Sequence, residues 1–494
     1  MAAYTRKDVY TEYFSGSVVI TPPPSNIEFT AGVAQGGQLM TRYTISDKAT
    51  AISLFKGGDL LDALIERLDA GSSMIYALRI GPAEKASIIV TDGGTPVVDV
   101  MKLEAVEPGT WWNDVAVEVS VEGANITVEI TDPDGETTYD FTSITLAGLV
   151  DAINGVTGDG QPLVAASIVT GPNLPGVLDT TYLTGGKDGD GANGDPMTTQ
   201  DIMDAITFSE QFTDVAWAHF IGAADFDSDP WGAGAVETAF ETTRAMWSAI
   251  LTSCENMVDN NLGERFALLD FPRFEAVNPD LPTVTEIQTY TDRAILAMSD
   301  MANQNAVFIL GEGKFIDSDG VIYLNRLTSA VSGKMAAVDI QKSLLGESPV
   351  NISALTPEFS LGQQTQLVTA NINHLRVEPG IGKIIALSNV ACPTGSTYNR
   401  IEKLRAVYSA GKQVRTAAFP HLGRANDSAG EGIQLLEADL KKPLDLMVQK
   451  RQIDTYELTV ECTPEMRTLG EANVILSVNS MKAFEIILTK VYLD

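Results

Sequence analysis

The chain has 494 residues, 44% of them hydrophobic and 20% charged, with a formal charge of −32 from 33 basic and 65 acidic side chains. That length exceeds one hydrophobic core, and the composition excludes a disordered or fibrous chain, so two to four globular domains are expected. The excess acid repels phosphate and argues against general binding to nucleic acid or anionic membranes; a soluble particle component and a protein of a halophilic host both fit it.

Residues 1–25 read as an extended arm, with an ordinary frayed terminus as the competing reading. Strand-forming residues at Val9-Tyr10-Thr11-Glu12 and Val18-Val19-Ile20 precede Pro22-Pro23-Pro24, a stiff spacer that neither helix nor central strand tolerates. Residues 26–84 form a first α/β segment. Asp59 is placed to cap a helix whose apolar positions Leu60, Leu61, Leu64, Ile65 and Leu68 recur at helical spacing, Gly71 ends it, and Met74–Ile80 is an apolar strand.

Residues 85–182 switch to strand patterning, with Ala116–Val121 and Ile126–Thr131 alternating on either side of a turn, and read as an inserted β-rich domain. Residues 183–196, rich in glycine and aspartate, are the clearest linker. From 197 to 345 helices near Thr198–Gln211, Ala235–Val258 and Val284–Met301 alternate with strands near Val215–Ile221, Arg265–Phe271 and Ala306–Leu310, the rhythm of a doubly wound parallel sheet. Residues 346–494 read as a C-terminal α+β domain: helices near Asn399–Gln413 and Gly432–Lys450, then strands at Asp454–Glu461, Ala472–Val478 and Ala483–Tyr492. The last strand is apolar on both faces, as suits a strand deep in a sheet. The fold class is therefore multidomain α+β, with a doubly wound α/β core, an inserted sandwich-like domain and a C-terminal α+β domain.

Catalytic chemistry is hard to assemble from these residues. His219, His374 and His421 lie in three segments without a nucleophile elbow or zinc-binding helix, so each reads as structural, and no enzyme is expected. Lys187 follows two glycines, but Asp188 stands where a phosphate loop needs serine or threonine, so no nucleotide or other cofactor is expected. Asp188, Asp190 and Asp195 in one loop, and Asp225, Asp227 and Asp229 in another, offer oxygen ligands for calcium but match no calcium-loop pattern. Solvated acidic turns are the reading preferred, and no metal is expected. Cys254, Cys392 and Cys462 are far apart and read as free thiols of a reducing compartment. No signal-peptide core or bilayer-length apolar run is seen, so folding in a cytoplasm without membrane insertion is expected. Between Arg400 and Arg451, ten basic residues outnumber six acidic ones, a basic patch suited to an acidic partner surface or to a solvated helix face.

Five strings in order resemble the contractile phage tail sheath family, which includes the sheaths of related contractile injection systems. They are Val9-Tyr10-Thr11-Glu12; Phe55-Lys-Gly-Gly58-Asp-Leu60 running to Ile65; Ile75-Tyr-Ala-Leu-Arg-Ile80; Pro108-Gly109-Thr110-Trp111-Trp112-Asn113-Asp114; and Leu183-Thr-Gly-Gly186-Lys-Asp188-Gly189. Trp112 stands where the family usually has glycine. Asn473–Val478 with Met481–Val491 is similar to the family's closing strands.

The resemblance implies a homo-oligomer of stacked hexameric rings around a tail tube, with baseplate and tail terminator as further partners. It places the protein in a virion tail assembled in a host cytoplasm, where contraction drives the tube through an envelope. It also implies that N- and C-terminal arms add strands to a sheet in a neighbour's C-terminal domain. On that basis Val9, Tyr10, Thr11, Val18, Val19, Ile20, Phe484, Ile486, Leu488 and Val491 are the linkage candidates. Lys441, Lys442, Lys450 and Arg451 are the tube-facing candidates. An α/β enzyme with an unrecognised site and a calcium-bound secreted adhesin are the competing classes.

Overall fold

The computed structural model describes residues 26–481 except 136, 157–162, 190, 192–194, 233, 260–262, 275–281, 317–320, 394–395 and 424–429. The expected arm and the expected strand Ala483–Tyr492 lie outside the described residues. The chain divides into two compact units, with the described residues up to Tyr408 in one and Ser409–Met481 in the other. The two units meet between Tyr408 and Ser409.

The larger unit opens with β1 (Glu28–Gly32), β2 (Arg42–Ile45), α1 (Lys48–Phe55), α2 (Asp59–Ala70) and β3 (Ile75–Arg79). In α2, Leu60, Leu61 and Leu64 are buried, while Gly71 closes the helix in the left-handed conformation. The N-cap is Gly58 rather than Asp59, which with Asp62 occupies the first turn, where the helix dipole favours acid.

The inserted domain follows: β4 (Ser87–Thr91), β5 (Asp99–Ala105), β6 (Ala116–Glu122), β7 (Asn125–Thr131), β8 (Thr138–Ser143), α3 (Leu146–Asn154), β9 (Val164–Ile168) and β10 (Leu178–Tyr182). They build a three-stranded sheet, β4-β5-β9, and a four-stranded sheet, β10-β6-β7-β8. The strict alternation read in β6 and β7 puts Val117, Val119, Ile126, Val128 and Ile130 into a core separate from that of the main sheet.

The chain then returns through α4 (Thr199–Ser209), β11 (Trp217–Phe220), α5 (Val236–Ala239), α6 (Glu241–Asp259), β12 (Phe266–Asp270), α7 (Val284–Met298) and β13 (Ala306–Ile309). The single helix expected over 235–258 is broken at Phe240 into α5 and α6. The main sheet has the order β13-β12-β11-β1-β3-β2, parallel except for the edge strand β2. Successive residues alternate between two cores. Phe29, Ala218, Phe220, Leu269 and Phe308 meet α4, α6 and α7 on one face; Trp217, Phe266, Leu268 and Val307 meet the other. Both faces are covered, which is why these strands read as continuous apolar runs.

The larger unit finishes with β14 (Glu312–Ile316), β15 (Ile322–Arg326), α8 (Thr328–Ala337), β16 (Ile352–Thr356), α9 (Leu361–Thr369), β17 (Leu375–Glu378), β18 (Gly382–Ile385) and the first part of α10 (Ile401–Ala418). The sequence reading places no strands between 312 and 385; these are four- and five-residue strands without sustained alternation. The smaller unit holds the rest of α10, α11 (Glu431–Gln449), β19 (Thr455–Glu461), α12 (Pro464–Leu469) and β20 (Asn473–Asn479).

Candidate assembly surfaces

The loop 183–189, part of the Gly/Asp-rich linker read from sequence, is bound to the base of the inserted domain. Lys187 exchanges two backbone hydrogen bonds with Glu84, both of 3.0 Å, and the Thr184 and Ser87 backbones pair likewise. Asp188 is buried: its Oδ1 accepts from the Thr110 backbone N–H at 2.6 Å, its Oδ2 accepts from the Thr110 hydroxyl, and Arg79 Nη2 lies 3.9 Å away. Arg79 also donates to the carbonyls of Gly37 (2.8 Å) and Pro108 (2.6 Å), and burial lowers its pKa to about 10. Asn113 closes the other side, donating to Gly186 O at 3.0 Å and accepting from Gly186 N at 2.8 Å.

Two glycines make this approach possible. Gly109 sits at φ +135°, where a Cβ would overlap the Gln35 carbonyl, and a Cβ on Gly186 would overlap the Gly109 carbonyl. Trp112 lies in a short 3₁₀ turn, Thr110–Asp114, and its indole is buried in the inserted domain's core. Three of the strings quoted from sequence thus converge on one junction. The sequence reading missed the partners Arg79, Thr110 and Asn113; the signal was an aspartate inside a glycine loop that turns out to be buried.

A chain of buried polar groups crosses the main sheet. Arg67 lies 3.7 Å from Glu28 and donates through Nη2 to His219 Nδ1 at 2.6 Å, so His219 carries its proton on Nε2 and donates to Asp270 Oδ2 at 2.7 Å. Thr328 donates to the other Asp270 oxygen. Burial lowers the His219 pKa against the pull of Asp270. Burial alone would raise Asp270, but His219 and Arg326 hold it at about 2. These groups join β1, α2, β11, β12 and α8, and they are enclosed, which suits a fastening and not a reaction centre. His374 bonds the Ile372 carbonyl at 3.2 Å and His421 bonds Asp439 at 2.9 Å, so the three histidines stay in separate places.

The aspartates raised as calcium ligands have other partners. Asp225 pairs with Arg326, and Asp227 accepts from the N–H groups of Thr242 (3.1 Å) and Thr243 (2.8 Å) at the start of α6. Asp229 folds over Gly232, and Asp190 lies outside the described residues. Among the described residues no three acidic, histidine or cysteine side chains cluster as a metal site would.

In the smaller unit β19 and β20 form a two-stranded sheet pairing Tyr456 with Val478, Leu458 with Leu476 and Val460 with Val474. That apolar face is only half-buried; Tyr456 reaches Asp445 of α11 at 2.6 Å. The opposite face is exposed and polar apart from Ile475. Among the described residues neither outer edge of this sheet is paired. A two-stranded sheet with a half-covered face is marginal alone and needs further cover.

Solved structures share this architecture over nearly the whole chain. A sheath tail protein from Desulfitobacterium hafniense matches with TM-score 0.64 at 13% identity, covering 96% of this chain and 100% of that one. A sheath tail protein from Listeria innocua matches with TM-score 0.60 at 12% identity, covering 92% of this chain and 95% of that one. The helical sheath of the anti-feeding prophage in its contracted state matches with TM-score 0.53 at 12% identity, covering 100% of both chains. This chain has the fold of contractile tail sheath proteins. No family model matches the sequence, nor does any curated protein, so the likeness is one of fold.

Within this sheath fold the residues singled out from sequence take the following places. Lys441 pairs with Glu437 at 2.5 Å and Lys442 with Asp439 at 2.6 Å, both along α11; Lys450 caps that helix and Arg451 follows at φ +56°. Val9, Tyr10, Thr11, Val18, Val19, Ile20, Phe484, Ile486, Leu488 and Val491 lie outside the described residues. No helix among the described residues is long and apolar enough to cross a membrane.

Proposed function

We propose that this chain is the structural subunit of a contractile sheath, polymerising as stacked hexameric rings around an inner tube and contracting to drive that tube through an envelope. The observation that carries this reading is the likeness of fold to sheath tail proteins over 96% of the chain. A second feature supports it: among the described residues the β19–β20 sheet has unpaired edges and a half-covered apolar face, the form of a sheet that accepts further strands. In this reading residues 1–20 and the terminal segment Phe484–Val491 are the donated strands. Lys441, Lys442, Lys450 and Arg451 turn toward the tube. The same subunit serves a phage tail or a bacterial injection machine, and it meets tube, baseplate and terminator proteins; the energy of contraction is stored on assembly, without turnover. Electron microscopy of the purified full chain tests it: striated tubes or rings are expected, and a chain that stays dispersed as folded monomers at every concentration would overturn it.

A further inference from the structure

The charge of this chain is not spread evenly. Residues 346–494 contain 15 basic and 16 acidic side chains, and residues 1–345 contain 18 basic and 49 acidic ones. Nearly the whole excess of −32 therefore belongs to the part that holds the whole main sheet and the entire inserted domain.

Several basic side chains in that part are tied to acids of the same subunit. Lys48 pairs with Asp69, Lys187 with Glu84 at 2.8 Å and Arg244 with Asp300 at 3.1 Å. What remains is a surplus of carboxylates, some placed side by side. In the four-stranded sheet of the inserted domain Glu118 faces Glu129 across β6 and β7, and Glu129 faces Asp140 across β7 and β8. All three are exposed, and like charges directly opposite destabilise a sheet.

We infer that the charge partition makes self-assembly ion-controlled: copies join through the near-neutral residues 346–494, together with the uncharged-overall arm 1–20, and repel through residues 21–345, so that counterions set how readily the polymer forms. The inference rests on the reading of the chain as a self-polymerising subunit. Repulsion between bodies of like charge keeps proteins apart, and its reach shrinks from about 30 Å at about 10 mM salt to about 10 Å at about 0.1 M. Contacts held by ion pairs would respond in the opposite direction.

The test is sedimentation velocity and electron microscopy of the full chain in sodium chloride from about 10 mM to about 500 mM, a range that spans strong and weak screening. A parallel arm uses magnesium chloride at fixed ionic strength. The assembled fraction should rise several-fold with salt, and magnesium should match it at lower ionic strength. The variant E118Q/E129Q/D140N, with unchanged far-UV circular dichroism, should assemble at lower salt than the parent and coincide with it at the top of the range. That last comparison separates charge repulsion from salting-out of apolar contacts, which these substitutions would not shift in this way. Assembly that is equal at all salts, or that falls with salt, overturns the inference alone. A chain that stays monomeric throughout overturns the polymerisation reading and the inference with it.

Discussion

Asp188 and Arg79 lie 3.9 Å apart at the junction of the inserted domain, both buried, with Thr110 filling the remaining hydrogen-bonding positions of the carboxylate. The inserted domain is thus fastened to the main sheet by side chains as well as by two chain crossings. Replacing Asp188 by alanine strands a buried guanidinium, and breaking a buried pair from one side costs roughly 3–5 kcal/mol. The Asp188→Ala chain should show a much lower urea midpoint and new proteolytic cleavage within 183–196. Glu84→Ala, which removes only the exposed partner of Lys187, should leave both nearly unmoved. Equal loss in the two variants would show that the junction is not held by Asp188.

His219 should give the fold a measurable acid sensitivity. Its folded pKa is lowered from 6.5 by burial, so its contribution is complete above 6.5 and is lost as pH falls through the lowered value. Protonation at Nδ1 would also point two donors, His219 and Arg67, at each other. The urea midpoint should therefore fall between pH 7.5 and pH 5. His219→Gln keeps one acceptor for Arg67 and one donor for Asp270, and should reduce that slope while retaining most of the stability at pH 7.5. The slope should not vanish, because burial lowers His374 to about 4 with the same sign. His219→Leu takes one hydrogen-bond partner from each of two buried charges, Arg67 and Asp270, and should cost roughly 1–3 kcal/mol for each at every pH.

Glu312 works in the opposite sense. It is 1% exposed at the start of β14, no side-chain donor among the described residues reaches either carboxylate oxygen, and burial raises its pKa against the pull of Arg273 and Arg326. A raised folded pKa means stability present below the ordinary glutamate value of 4.5 and lost as pH rises through the folded value. Glu312→Gln should accordingly gain on the parent as pH rises from 4 to 8, at no more than about 1.4 kcal/mol per pH unit, the limit for one titrating proton. Urea midpoints of the two chains at both ends of that range decide it; a constant difference would mean that Glu312 does not titrate abnormally.

The features legible in sequence are those with a local period. The alternation of β6 and β7 and the apolar runs of β11, β12 and β13 needed no knowledge of their neighbours. The capped helix α4 was equally plain, since Thr198 and Asp201 form a reciprocal capping box. The junction was not legible as a unit. Arg79, Thr110 and Asp188 belong to three separate strings, and only the folded chain shows that one carboxylate serves two of them. The Glu28–Arg67–His219–Asp270 chain spans four elements and has no local signature at all. The short strands β14 to β18 escaped because four or five residues with mixed burial carry no readable alternation.

The strongest test of the sheath reading concerns the open sheet of the smaller unit. Tyr456, Leu458, Val460, Val474, Leu476 and Val478 form one face that α11 covers only in part, and both strands keep an outer edge free among the described residues. Residues 4–20 combine strand-forming segments with a following proline spacer, so they are suited to span a gap and add to such an edge. Each added strand contributes several backbone hydrogen bonds at about 1 kcal/mol net, together with cover for the half-buried apolar face. A chain lacking residues 1–20 loses this linkage without losing any residue of the main sheet or the inserted domain. It should therefore remain folded by circular dichroism and sediment as a monomer under conditions in which the full chain forms tubes. Adding the full chain in excess should not restore it to the polymer at full occupancy, because each truncated copy leaves one neighbour's edge open. Tubes of normal appearance from the truncated chain alone would show that the arm is not the link.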